Sequence, residues 1–484
     1  MILFIVQMQN DITPDSGVLT GRFLVVTIAG TSREDAMKIG FTTGTAILAL
    51  ATGLGSVAHA ADGELRVVYR DSSFVTAVME SAEEAFESAH PGIDVVLESI
   101  SASSRDYYTK VSLMNQSDST APDVIYEDGF YVTADAAAGY LEPLDDRLAE
   151  WDDWAKFVDI AKQNGTSFVD GKLYAIPLGT DTQAIWYNKN VLTEAGLPAD
   201  WQPESWQDVL DAAAQIKENV PDAIPLNLYV TKAGGEASTM RGLMNLLSGT
   251  PGALPATLYD PADGKWVTGS KGMADTLSFL KTVYEAGYLA SDNELQDGNF
   301  QHVLVEQRAP SDEVGMFIDG SWIWSRWAET GSAPWEDWTD VIGMAKIPTQ
   351  DGGGNGFTSM SGGWTIAMTT YADDKDAAFD FLTTVADHTR SLQYSVLSGA
   401  VGVREDVNTD PEFLDANPTA GFFSSLVEVT NFRPALEIYP QVSSLIQETM
   451  EAVTVGGASV EDAMERYDSQ LTRLAGRSNV KAAE

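Results

Sequence analysis

From Leu65 onward the sequence alternates short β-branched runs with longer amphipathic stretches, and that alternation is what most limits the fold. Leu65-Arg66-Val67-Val68-Tyr69 predicts a strand, residues 74–89 an amphipathic helix, and Ile93-Asp94-Val95-Val96-Leu97 a second strand. A helix over 107–114 and a short buried strand at Asp123-Val124-Ile125-Tyr126 continue the series. Strands that alternate with helices are joined by crossovers, which predicts an α/β fold with a mostly parallel sheet. Further strands are expected over 172–178, 183–187, 226–230, 314–318 and 364–368. Helices are expected over 206–218, capped by Ser205, and over 271–286, 375–386, 439–453 and 460–474. A chain of 484 residues should hold two or three compact units. No internal repeat or long linker separates them, so the units are expected to be interleaved.

The first 60 residues read as an address. Met37-Lys38 precedes an apolar stretch over 39–57 that ends in Ala58-His59-Ala60, the small-x-small pattern a signal peptidase accepts. A transmembrane anchor is the alternative, but glycines and threonines throughout and small residues at the end favour export. No cysteine follows, so a lipoprotein anchor is not expected. Acidic Glu34 and Asp35 precede Met37, and residues 1–36 are read as an upstream-start artefact.

Lys and Arg number 29 against 71 Asp and Glu, a net charge of −42. From Ala61 onward 26 basic and 67 acidic residues leave −41, so the acidity belongs to the exported chain. Such a charge repels phosphate backbones and anionic lipid, and neither nucleic acid nor a membrane surface is an expected partner. The chain has no cysteine, which removes disulfides, thiolate metal sites and cysteine nucleophiles together. Four histidines leave little room for an imidazole metal cage. No metal and no cofactor are expected.

Catalytic motifs are missing from the sequence: no G-x-S-x-G elbow, H-E-x-x-H, Walker loop or dinucleotide fingerprint occurs. Gly352-Gly353-Gly354 lacks the Lys-Ser/Thr that a phosphate cradle needs. Pairs such as Asp152-Asp153 or Asp373-Asp374 could serve a glycosidase, but among 71 acids they arise by chance and read as solvated. The 12 tryptophans stand out instead, several beside small or polar residues at expected strand ends. These are Asp319-Gly320-Ser321-Trp322, Ser361-Gly362-Gly363-Trp364 and Trp186-Tyr187-Asn188-Lys189. Indole faces stack on the C–H faces of pyranose rings, while carboxylates, guanidinium groups and backbone N–H groups hold the hydroxyls. A mostly apolar cleft with a few placed polar groups is the usual small-ligand design. Core packing is the competing reading for each tryptophan. Trp151, Trp154, Trp335 and Trp338, set among charges, are expected at the surface or half-buried.

The order of several short blocks adds a resemblance. Pro122-Asp123-Val124-Ile125-Tyr126-Glu127-Asp128 is followed by Ala138-Gly139-Tyr140-Leu141-Glu142-Pro143-Leu144-Asp145. Then come Gly171-Lys172-Leu173-Tyr174-Ala175-Ile176-Pro177 with Tyr187-Asn188-Lys189, and Glu194-Ala195-Gly196-Leu197-Pro198 with Ser205-Trp206. The two tryptophan blocks ending at Trp322 and Trp364, Gly402-Val403-Arg404 and Arg433-Pro434 complete the set. From Leu65 to about Gly476 the chain resembles the extracellular solute-binding proteins of sugar ABC transporters, the maltose- and trehalose-binding group.

The resemblance implies a two-lobed periplasmic-binding-protein fold, with ligand in a cleft between α/β lobes that hinge shut. It implies lobe 1 over 61–180 plus 346–400, lobe 2 over 181–345 plus 401–475 with a helix-rich C-terminus, and a tail over 476–484. The three crossings fall at 179–182, 343–346 and 398–403, where Gly179, Gly343, Gly399 and Gly402 suit changing torsions. By the same resemblance Asp128 accepts sugar hydroxyls, with a helix N-cap as a compatible second role. Asp181 reaches into the cleft from the first crossing, and Trp322 is the stacking aromatic of the second lobe. Gly363 and Trp364 supply a backbone and an indole contact from the first lobe. Arg433 matches a sugar-bonding arginine, with a structural salt bridge as its alternative. Arg70 and Ser72, at the end of the first strand, and Tyr439 complete the candidates.

The function implied is capture of a sugar, an oligosaccharide, for delivery to the membrane permease of an ABC importer. The chain is expected to act as a non-catalytic monomer in the periplasm or outside the cell. Glycerol phosphoesters and polyamines are the alternative ligands, and a secreted carbohydrate-active enzyme is the alternative class.

Overall fold

The computed structural model describes residues 63–102, 104–251, 258–260, 262–434 and 436–483. The expected signal peptide over 37–60 and the stretch ahead of it lie outside the described residues.

Strand β1 (Gly63–Arg70) runs parallel to β2 (Ile93–Ile100) on one side and to β3 (Val124–Asp128) on the other. Parallel neighbours require a crossover, supplied by helix α1 (Ser73–Ala89). Val75, Val78, Met79, Ala82 and Phe86 of α1 share one face at helical spacing and are buried against the sheet. β4 (Ala175–Pro177) and β13 (Trp364–Met368) complete a five-stranded sheet in the order β2-β1-β3-β13-β4. β13 is antiparallel to both of its neighbours, with Trp364 opposite Asp128.

The second sheet holds β5 (Gln183–Asn188), β6 (Ile224–Asn227), β9 (Val314–Gly320) and β10 (Ile342–Ala345), in the order β10-β5-β9-β6. β5 and β9 are buried along their whole length, so their sequences run apolar with little alternation. Only β6 and β9 pair in parallel. Both large sheets are therefore mixed and not mostly parallel as expected. The cause is the interleaving: β13 enters the first sheet from the second lobe and so runs against β3.

Two small sheets complete the pairing. β11 (Ile347–Pro348), β12 (Phe357–Ser361) and β14 (Thr430–Phe432) form one. β7 (Tyr259–Asp260), β8 (Lys265–Thr268) and β15 (Val480–Ala482) form the other. Within the expected tail, residues 476–483 are therefore tied to the rest of the fold. β15 lies parallel to β8, and Lys481 pairs with Asp260 and, at 2.7 Å, with Asp263.

The first passage between the large sheets lies between β4 and β5. There Thr180 exchanges two backbone hydrogen bonds with Val401, of 3.1 and 2.9 Å. The second passage is Gly362-Gly363, between β12 and β13, and not 343–346. Gly343 lies inside β10, where a Cβ would come within 2.3 Å of the Tyr187 ring. The third is also displaced from 398–403. Val158 N–H bonds Val403 C=O, and Arg404 pairs with Asp153, so this stretch stays with the first lobe. The chain reaches the second lobe after Ala416, where Phe423 packs on Trp186. Gly399, with φ +72°, closes the helix His388–Ser398 as its left-handed cap and is not a hinge.

No helix of the described residues is long and apolar enough to cross a membrane.

Candidate ligand-binding cleft

In open α/β sheets, ligands sit in the crevice outside the carboxyl ends of the strands. Here Arg70 is the last residue of β1, Asp128 the last of β3, and Trp364 the first of antiparallel β13. The three therefore meet at one edge. Trp364 lies flat on Tyr126, with centroids 4.6 Å apart and planes 10° apart, and near-parallel to Tyr108 at 6.2 Å. Gly363 lets the indole arrive there: its φ is +150°, and a Cβ would stand 2.1 Å from the Gly179 carbonyl oxygen. No other residue fits that approach. Arg70 donates to the Ala102 carbonyl at 3.1 Å and holds its guanidinium 6.0 Å from the Trp364 ring. Ser72 caps α1 by accepting the Val75 N–H.

The second lobe contributes through the end of β9. Asp319, fully buried, accepts from Arg241 at 2.7 Å, Gln301 at 2.9 Å and Tyr229 at 3.1 Å. That network fixes Arg241, whose guanidinium lies 4.7 Å from the Tyr229 ring and 5.4 Å from the Trp322 ring. Gly320 clears the space Trp322 uses, since a Cβ there would meet the indole at 1.8 Å. Trp322 itself is half-buried, as is Trp364.

Arg433 stands between the two groups. It is 5% exposed, pairs with Asp128 at 2.8 Å and Glu236 at 3.5 Å, and lies 4.6 Å from the Phe130 ring. Asp128 also caps the helix Gly129–Ala137 by accepting the Phe130 N–H, the second of the roles expected for it. Burial raises the Asp128 and Glu236 carboxyls while Arg433 draws each back down. Asp181 goes further: burial pushes it up to about 7, against the pull of Arg433, with Asp128 adding to the rise. Its Oδ1 is buried without a hydrogen-bond partner.

One cleft of about 1720 Å³ gathers Arg70, Ser72, Asp128, Asp181, Trp322, Gly363, Trp364 and Arg433. Of the expected site residues Tyr439 alone does not line it. Tyr439 is fully buried and donates at 2.6 Å to Glu236, which does line the cleft. Trp186, flagged with the other strand-end tryptophans, is core: it is fully buried against Trp327, Trp338 and Phe423. Trp338 is likewise buried, not at the surface. The cleft residues that sequence reasoning missed are chiefly Tyr108, Glu236, Arg241, Gln301 and Arg326. None carries a local motif; a tyrosine or an acid on a helix has no signature until the sheets bring it to the cleft.

A cleft of this kind, with aromatic faces and buried polar groups supplied by two α/β lobes, defines a solute-binding receptor. The chain belongs to the family of bacterial extracellular solute-binding proteins, whose pattern matches residues 71–389. A binding protein of Brucella abortus is 23% identical over 457 residues, spanning 90% of this chain and 98% of its own. The lactose-binding protein of Rhizobium radiobacter is 22% identical over 350 residues, spanning 70% of this chain and 75% of its own. The GacH receptor of Streptomyces glaucescens, solved unliganded and in complex with acarbose, shares the fold. Its TM-score is 0.70 at 23% identity, covering 85% of this chain and 98% of the receptor.

Proposed function

We propose that the chain captures a sugar, an oligosaccharide, in the interlobe cleft and delivers it to the membrane permease of an ABC importer. The observation that carries this is the pair of half-buried indoles, Trp364 from the first sheet and Trp322 from the second, sharing one cleft with buried carboxylates. Stacking faces with hydrogen-bonding groups between them suit a pyranose, apolar on its faces and polar at its rim. A volume near 1720 Å³ exceeds the roughly 300–1,000 Å³ of ordinary small-ligand pockets, which supports a ligand of several sugar units. Binding of lactose by one relative and acarbose by a structural neighbour is in keeping with this reading. A phosphoester is disfavoured, because Arg241 and Arg433 are already held by carboxylates.

The role is that of a receptor without catalysis, exported and acting as a monomer. The test is a thermal-shift screen against mono- and oligosaccharides, with sn-glycerol 3-phosphate and spermidine alongside. Ligand binding to the folded state raises its apparent stability, so a sugar should raise the melting temperature. A shift with the phosphoester or the polyamine alone would overturn the sugar reading, and cleavage of a bound oligosaccharide would overturn the receptor reading. Export predicts a mature N-terminus at Ala61 or within a few residues of it. Mass spectrometry of the secreted fraction checks this; an intact Met1 or Met37 there would contradict it.

A further inference from the structure

The deep carboxylates of the cleft outnumber the cations that can pair with them. Asp319 is 0% and Asp181 9% exposed, and the side chains of Glu236 and Asp128 are 16% and 18% exposed. Two buried guanidinium groups answer these four acids. Arg241 is held by Asp319, and Arg433 by Asp128 and Glu236 together. Arg70 stands at the rim against Trp364. Counting it still leaves one carboxylate in excess, and Asp181 is the acid left over. Its Oδ1 is buried without a hydrogen-bond partner, and the neighbouring Gln183 side chain only partly offsets its burial. An unpaired buried carboxylate is costly: it takes up a proton or meets a cation.

We infer, resting on the sugar reading above, that the ligand is an amino sugar whose ammonium group sits against Asp181. The same cleft offers the indole faces of Trp322 and Trp364, and a cation is also drawn to such faces within about 6 Å. A neutral sugar would satisfy the indoles but leave the Asp181 charge uncompensated. A linear polyamine would answer Asp181 without using two flat faces on separate lobes. An anionic sugar would add charge of the sign already in excess.

Calorimetry on the secreted protein at about pH 7 tests this with glucosamine, galactosamine and the β-1,4-linked glucosamine trimer. Each is compared with its neutral parent (glucose, galactose, cellotriose) and its N-acetylated form. At least one amino sugar should bind about tenfold or more tighter than both counterparts, and Asp181→Asn should erase that advantage. A measurement on the unaltered protein guards against a variant that misfolds. Besides burial, the groups acting on Asp181 are Arg433, Asp128, Arg241 and the Gln183 side chain, and Asp181 acts in turn on Tyr394. The advantage should therefore grow from about pH 5 to about pH 7, as Asp181 ionises to meet the ammonium. Neutral parents binding as tightly as their amino forms would overturn the inference and leave the sugar receptor standing. Spermidine is titrated alongside, and its binding more tightly than every sugar, or no binding across the panel, would overturn the sugar reading as well.

Discussion

Trp322 owes its position to Gly320, which has no side chain to obstruct the ring, and to Arg241, which Asp319 holds beside it. If the indole stacks on a sugar, Trp322→Ala should weaken binding by about 1–4 kcal/mol, a hot-spot magnitude. The fold should survive because the ring is only half-buried. Calorimetry beside a melting curve reads both, and unchanged affinity would return Trp322 to a packing role. Asp181 makes a pH prediction. Its carboxyl is raised to about 7 by burial, so it favours the folded state while protonated and loses that contribution as pH rises through 7. Without ligand, the unaltered protein should lose stability from about pH 4 to about pH 7 relative to Asp181→Asn, by roughly 4 kcal/mol at most. Parallel melting curves of the two proteins would refute this. The places of Trp322 and Trp364 in the cleft were legible because each sits at a strand end beside glycines, whereas that of Asp181 followed from the resemblance alone. Tyr439 lies one layer behind the cleft-lining Glu236, a difference that sequence does not show.

Among elements, what could be read was what local chemistry dictates. The helix expected over 206–218 is found at Trp206–Asn219, with Ser205 and Asp208 forming a capping box. β1, β2, β3 and β13 lie where β-branched runs predicted strands. What failed was the meaning of glycine. Gly343 and Gly399 were read as hinge positions, whereas the first clears the Tyr187 ring inside a strand and the second caps a helix. Glycine reports a backbone need, and close packing, helix termination and hinging all create one. The second passage uses Gly362-Gly363 instead, where the carbonyl of Gly362 accepts from Asn164 and Thr180 and that of Gly363 from the Gly129 N–H. Gly363→Ala should therefore act on fold and site at once. The added Cβ meets backbone, not a mobile side chain, at a φ that L-residues avoid, and a loss above about 2 kcal/mol is expected. Denaturant unfolding measures it; a loss within about 0.5 kcal/mol would show that the passage relaxes freely.

At the scale of the whole molecule, the ion pair between Asp128 and Arg433 ties the end of β3 in the first lobe to a residue that also pairs with Glu236 of the second. Phe130 and Tyr439 meet edge to face across the same boundary, with ring centroids 5.9 Å apart. Both contacts join elements of the two lobes, so an opening that parts them is opposed by each without any ligand. A ligand adds to this only by what it gains from touching both lobes at once. Trp364 and Asp128 on one side, with Trp322 and Arg241 on the other, offer that differential contact. Small-angle scattering should accordingly give a smaller radius of gyration with saturating sugar than without. Asp128→Asn removes the charge that answers Arg433 from the first lobe but leaves Glu236 in place. The ligand-free variant should be more open than the ligand-free native protein, with the change in radius on adding sugar correspondingly larger. Salt should mimic the substitution only weakly, because a pair this buried is poorly screened. If a tightly bound sugar leaves the scattering of both proteins unchanged, the lobes do not hinge, and the cleft binds its ligand as a rigid groove.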